Sequence, residues 1–211
     1  MGKVIYLTGA PATGKSTLTA RVAAHAKDIE VFTYSLELAR VTSSRIGKLT
    51  QSDMREQSAK IITREDVALV DEQLIERAAS FRQRDGFLVI DSHPVTIEEF
   101  GYRVTPFTKG MLSRLSPDVI TCLYADAATL EARIKADAAG RPLPSPADLS
   151  RHVDLQCQVA WTYAFETGAS LYFLDASLPA HEVMANFMKV AKIPDITLSQ
   201  ASPDPYRTNR E

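Results

Sequence analysis

Cysteine is scarce in this sequence of 211 residues: only Cys122 and Cys157 occur. Two thiols cannot build the disulfide framework of a small secreted domain. Both fall inside apolar segments and read as small buried hydrophobes of a reducing compartment, with a single bridge between them left open. Long apolar runs are missing too. None approaches the roughly 18 residues of a membrane span, so no membrane partner is expected. The N-terminus passes through one basic residue straight into Val4-Ile5-Tyr6-Leu7, without the pattern of a secretory leader. Met1-Gly2 is followed by Tyr6 where a myristoylation signal needs Ser or Thr. A cytoplasmic location is the expectation. An excess of one charge is also lacking: Lys plus Arg is 24 and Asp plus Glu is 26, a formal net charge of -2. An extended nucleic-acid surface is therefore not expected, whereas a few arginines gathered on one small anion remain open. His25, His152 and His181 do not cluster with Cys or Asp at metal-ligand spacing, so no structural zinc is expected. The Gly-x-Ser-x-Gly elbow of α/β-hydrolases is absent.

What is present is ordinary in bulk and specific in detail. The length suits one domain, given roughly 150 residues each, and can bury about 70% of the unfolded surface. Short apolar runs at Val4 to Thr8, Val31 to Tyr34, Phe87 to Asp91, Val119 to Tyr124 and Leu171 to Asp175 read as strands covered on both faces. Helical patterns lie between them. Val67, Val70, Leu74, Ala78 and Phe81 form one apolar stripe, with Thr63 and Asp66 as a capping pair at its start. Leu149, Val153, Cys157, Ala160 and Ala164 form a second, ended by Gly168. Trp161, on that second helix, reads as core. Strand–helix alternation implies an α/β fold, a five-stranded parallel sheet with helices on both faces. Two stretches break the rhythm, at 46–62 and 137–148. Three prolines between Arg141 and Pro146 keep the second from being a helix interior. Both are excursions from the sheet, where function commonly sits. The domain is expected to span 1–193, followed by a polar tail at 194–211.

Gly9-Ala10-Pro11-Ala12-Thr13-Gly14-Lys15-Ser16 fits G-x-x-x-x-G-K-[ST] between an apolar strand and a helix pattern, and Thr17 follows. Glycines let the backbone curl so that its N–H groups face a phosphate, and the helix adds the positive end of its dipole. Lys15 reaches the β- and γ-phosphates of ATP, and the Ser16 hydroxyl can ligate Mg2+. Phe87-Leu-Val-Ile-Asp91 supplies the acidic residue that ends a buried strand in such sites, so Asp91 is the second expected Mg2+ ligand. The expected fold is thus the three-layer P-loop NTPase arrangement.

Several further short stretches stand in register with one family. They are Phe32-Thr-Tyr34, Asp53-Met-Arg55, Ile90-Asp91-Ser92-His93, Gly101-Tyr102, Leu115-Ser-Pro117-Asp118, the Arg133 region, His152, and Tyr163 to Ala169. From Val4 to Asp175 the chain resembles the archaeal-type adenylate kinases, within the wider group of P-loop nucleoside monophosphate kinases. The resemblance implies an ATP- and Mg2+-dependent phosphotransferase whose acceptor is a nucleoside monophosphate. It implies that Arg55 binds the acceptor phosphate, and that Arg133 and Arg141 belong to a short lid over the donor. Two positions depart from the family. Ala12 stands where it has a middle glycine, and Gln156-Cys157 where its later helix presents an arginine.

Phosphoryl transfer asks the protein for positioning and positive charge. Arginine suits this because its planar fork binds phosphate oxygens bidentately and stays charged. Arg103 and His93 are further candidates for the acceptor, with backbone satisfaction at the strand end as the other reading of His93. Tyr34 ends the second strand, where an acceptor base could stack, and Ser35 reads as a helix cap. Two rivals to the monophosphate reading stay open. One is a kinase with a hydroxyl acceptor, in which Asp91 doubles as base; the other is an ATPase or nucleotide-responsive binding protein. Oligomeric state stays open as well.

Overall fold

In a computed structural model that describes residues 1–25, 27–47, 61–137 and 143–194, the first apolar run forms β1 (Lys3–Gly9). Its side chains divide by the two-residue period of a strand. Ile5 and Leu7 enter one core cluster, Val4 and Tyr6 the other. A strand apolar on both faces must be covered on both, and the elements that follow do so. They are α1 (Lys15–His25), β2 (Ile29–Thr33), α2 (Tyr34–Ile46), α3 (Arg64–Arg82), β3 (Phe87–Asp91), β4 (Val95–Glu98), β5 (Gly101–Val104), α4 (Lys109–Leu115), β6 (Val119–Tyr124), α5 (Ala127–Ala136), α6 (Pro146–Thr167), β7 (Ser170–Asp175) and α7 (Ala180–Ala191).

The five expected strands pair in parallel in the order β2-β3-β1-β6-β7. Leu18 and Val22 of α1, Leu130 and Ile134 of α5, and Val183 and Phe187 of α7 pack one face; Val70 and Leu74 of α3, Met111 and Leu112 of α4, and Ala160 and Tyr163 of α6 pack the other. This is the expected three-layer P-loop fold. β1 lies between β3 and β6, so the chain leaves it toward one side of the sheet and later returns on the other. Such a reversal opens a crevice at the carboxyl ends of the strands.

Local signals hold where backbone groups need partners. Thr63 Oγ1 accepts from Asp66 N–H at 3.2 Å, and Asp66 Oδ2 accepts from Thr63 N–H at 3.0 Å, a reciprocal cap at the start of α3. Gly168 ends α6 at φ 71°. Other expectations shift. β2 stops at Thr33, and Tyr34 is the first residue of α2. Thr33 rather than Ser35 holds the N-cap position there, without a side-chain bond to the helix. The stretch expected as an excursion at 137–148 includes helix, because Pro146 sits in the first turn of α6, where a missing N–H costs nothing, and Ser145 caps it through Asp148 N–H. Among the described residues, a hairpin of β4 and β5 is an element the alternation pattern missed. Trp161 is 61% exposed and stacks on Phe165. The face of α6 that enters the core is instead Leu149, His152, Gln156, Ala160 and Tyr163. Two of these are polar, so an apolar stripe could not reveal them.

Candidate active site

The phosphate loop follows from the strand register. β1 ends at Gly9, opposite Leu123 of β6, and Leu7 pairs with Asp91 of β3. The loop and Asp91 therefore emerge side by side from one edge of the sheet. At Gly9 a Cβ would lie 2.7 Å from the Leu123 carbonyl oxygen, so the loop can leave the sheet there only through glycine. Ala12 adopts φ 64°, a left-handed conformation that costs a residue with a Cβ roughly 1–2 kcal/mol. Thr13 is buried and its hydroxyl donates to the Ala10 carbonyl at 2.7 Å, which pins the turn. Gly14 of the loop and Ser16 and Thr17 in the first turn of α1 are exposed. Lys15 opens α1, and its ammonium donates to the carbonyls of Gly9 at 2.5 Å and Ala10 at 3.2 Å. The first turn of α1 holds no carboxylate, so nothing there competes with an anion for the helix dipole.

Asp91 is 7% exposed, and its Oδ1 has no hydrogen-bond partner among the described residues. Burial pushes its carboxyl above the usual carboxylate range, while the nearby Lys15 charge pulls it back. A buried oxygen in that state calls for a cation or a proton. Asp91 and the Ser16 hydroxyl are hard oxygen donors of the kind Mg2+ takes, so the residues fit that ion.

The remaining expected site residues divide. Arg133 reaches the loop, donating to the Ala12 carbonyl at 3.3 Å and to the Ala176 carbonyl at 2.7 Å. It braces the loop against the segment after β7. Arg103 pairs with Glu98 across the hairpin at 3.0 Å. The Tyr34 hydroxyl donates to Asp71 Oδ1 at 2.7 Å, and its ring tilts on Phe107. Burial, together with the Asp71 carboxylate beside it, raises the pKa of Tyr34 well above that of an ordinary phenol, so it stays neutral. His93 is half-buried just past β3. Arg55 and Arg141 lie outside the described residues.

Behind this edge runs a buried polar row, His152, Gln156 and Tyr163, to which the sequence reading gave no role of its own. Gln156 of α6 donates to Thr8 Oγ1, one residue before Gly9, and Gln156 Oε1 has no partner. His152 donates from Nε2 to the Val95 carbonyl at 3.0 Å, and burial lowers its pKa, which favours the neutral imidazole. Tyr163 accepts at its hydroxyl from Phe107 N–H at 2.6 Å. Three residues along one helix thus hold β1, the start of β4 and the segment before α4. The signal was present as polar residues spaced along an otherwise apolar helix face.

The sequence profile of the AAA domain family matches residues 8–150, from the loop to the first turn of α6. The chain belongs to this family. No curated protein matches it in sequence. Among solved structures, a sugar kinase from Janibacter sp. is similar at TM-score 0.52 and 15% identity, covering 93% of this chain and 98% of its own. The tunicamycin resistance protein of Deinococcus radiodurans is similar at 0.53 and 13%, covering 90% and 95%. A shikimate kinase from Bacteroides thetaiotaomicron is similar at 0.51 and 15%, covering 90% and 99%. At these identities the likeness is one of fold. Family and fold together bear out the expected P-loop fold and leave the acceptor open. The adenylate-kinase-like part of the resemblance rests on its short motifs alone. No described helix is long and apolar enough to cross a membrane.

Proposed function

We propose that this member of the AAA domain family is an ATP- and Mg2+-dependent kinase that phosphorylates a hydroxyl group of a small molecule. The observation that carries the reading is the buried, unpartnered Asp91 carboxylate oxygen at the sheet edge beside the phosphate loop. A hydroxyl must lose its proton as it attacks phosphorus, and a carboxylate at the sheet edge beside the phosphate loop is placed to receive it. A phosphate acceptor is already ionised and needs no base. It would need cations, and of the candidates among the described residues Arg133 is engaged by two backbone carbonyls and Arg103 by Glu98. In this scheme Lys15 and the loop from Gly9 to Thr17 bind the donor phosphates. Ser16 and Asp91 are the residues that would hold Mg2+, which supplies charge neutralisation at the donor. Arg133 keeps the loop in shape. The sugar and shikimate kinases of like fold support an acceptor of this size class.

A nucleoside monophosphate is the second reading, favoured by the Tyr34–Phe107 ring pair that opens α2 and could receive a base. One incubation separates the two. The protein is mixed with Mg-ATP and a panel of polyols, sugars, hydroxy acids, nucleosides and nucleoside monophosphates, and ADP and product masses are followed. A monophosphate ester of a hydroxyl compound supports the proposal. Transfer to a nucleoside monophosphate replaces it with the second reading, and ADP without a phosphorylated product points to an ATPase.

A further inference from the structure

Cys122 in β6 and Cys157 in α6 bring their Sγ atoms to 3.7 Å, both as free thiols. The kinase scheme uses neither. Cys122 is fully buried, whereas Cys157 is half-buried and is the one a small reagent reaches. The pair borders the site through two links. Cys122 lies directly beside Thr8 in the sheet. Cys157 follows Gln156, whose amide holds the Thr8 hydroxyl. Thr8 runs into Gly9, where the phosphate loop begins.

The geometry points to a modification site: Cys157 and Cys122 form an intramolecular disulfide on reaction with a peroxide, and closing it weakens nucleotide binding at the loop. The Cys157 thiolate attacks one peroxide oxygen. An S–O bond forms and the O–O bond breaks, so the sulfur is oxidised by two electrons, the peroxide is reduced, and hydroxide or alkoxide leaves. The Cys122 sulfur then attacks the Cys157 sulfenic acid. The S–S bond forms, the S–O bond breaks, and the Cys122 proton departs with the hydroxyl as water. The roles follow from the surroundings. The contact with the Cys122 thiol favours the thiolate on Cys157, while that same contact and burial raise Cys122.

The bridge needs the sulfurs at about 2.05 Å, against 3.7 Å here. Rotation of the two side chains and a shift of α6 against β6 can close the gap, and Gln156 carries any such shift to Thr8. This second step rests on the phosphate-loop reading; the disulfide itself does not.

The experiment treats the full-length protein with hydrogen peroxide under native conditions, then alkylates remaining thiols and maps peptides by mass. The expected result is a monomer lighter by two hydrogens, with a Cys122–Cys157 cross-linked peptide that dithiothreitol reverses. In Cys157→Ser no bridge forms, and in Cys122→Ser a sulfenic acid at Cys157 is trapped by dimedone. Sulfinic acid at Cys157 with Cys122 still alkylable, or only intermolecular bridges, would overturn the site. Calorimetry with a non-hydrolysable ATP analogue and Mg2+ reads the coupling. Affinity should fall several-fold on oxidation in wild type, recover with dithiothreitol, and stay unchanged in peroxide-treated Cys157→Ser. A mapped bridge with unaltered affinity refutes the coupling. A reduced protein that does not bind the analogue refutes the loop reading instead.

Discussion

Replacing Asp91 by Asn should move activity and stability in opposite directions. The side chain is 7% exposed and its Oδ1 is unpartnered. Leaving such an oxygen buried costs a fold about 1–3 kcal/mol, and more of that cost falls on a charge than on an amide. The raised pKa expresses the same cost. Because the folded value lies above the unfolded one, the ionised form is disfavoured on folding. Wild-type stability therefore declines as pH rises from the ordinary aspartate value through the folded one, and stays lowered at neutral pH. The amide variant has no such decline. A gain of about 1 kcal/mol at pH 7 raises Tm by roughly 2–4 °C in a chain of this size. Loss of the proton acceptor and of a cation ligand should lower kcat by about 10²–10⁴, or roughly 2.7–5.4 kcal/mol of barrier. Scanning calorimetry across pH 4 to 8 and ADP release with an accepted substrate give the two readouts. A variant that is less stable than wild type at pH 7, or that keeps full turnover, would refute the assignment of Asp91 as an uncompensated carboxylate serving the reaction.

Lys15→Ala should reduce ADP formation by about 10²–10³, as for removal of one fixed donor at a developing anion, while circular dichroism stays native because the ammonium's hydrogen bonds to the Gly9 and Ala10 carbonyls serve the loop and not the core. Asp66→Asn should destabilise α3 and its neighbours, since Asp66 accepts from Arg45 at 2.6 and 3.1 Å, from Thr63 N–H and from Thr42. These donors, Arg45 first, hold its pKa down at about 2. Its stabilisation is thus complete above the ordinary aspartate value and lost as pH falls toward 2. The half-exposed Arg45 is screened by water, which leaves about 1–2 kcal/mol for acid titration of Tm to detect. Ala12→Gly should leave stability within about 1 kcal/mol of wild type, because relief of the left-handed strain offsets the added freedom of the unfolded chain. Chemical denaturation reads it, and a loss of several kcal/mol would mean that the loop does not hold this shape.

The strands were legible because a parallel sheet covered on both faces demands continuous apolar runs, and Val4 to Leu7 and Phe87 to Ile90 are such runs. The phosphate loop was legible because its chemistry constrains adjacent residues: glycines for backbone approach, then Lys15 and Ser16 in order. The hairpin at Val95–Val104 was not, because four-residue strands carry too little alternation to stand out. The arginines show the same divide. Each was a plausible phosphate ligand as a residue type, yet Arg133 is engaged by two carbonyls and Arg103 by Glu98, partners 121 and 43 residues away in one case and across a turn in the other.

By itself, then, the sequence determined the layer architecture and marked the loop proposed to hold the donor, since both are written in local patterns of apolarity and turn chemistry. The tertiary structure decided what depends on distant partners. It brought Asp91 to the loop edge with an oxygen left unpaired, and turned Gln156 inward to hold Thr8. It also set two solitary cysteines within 3.7 Å. Burial and proximity across the fold fix the charge and reactivity of such groups, and neither quantity is a property of neighbouring residues along the chain.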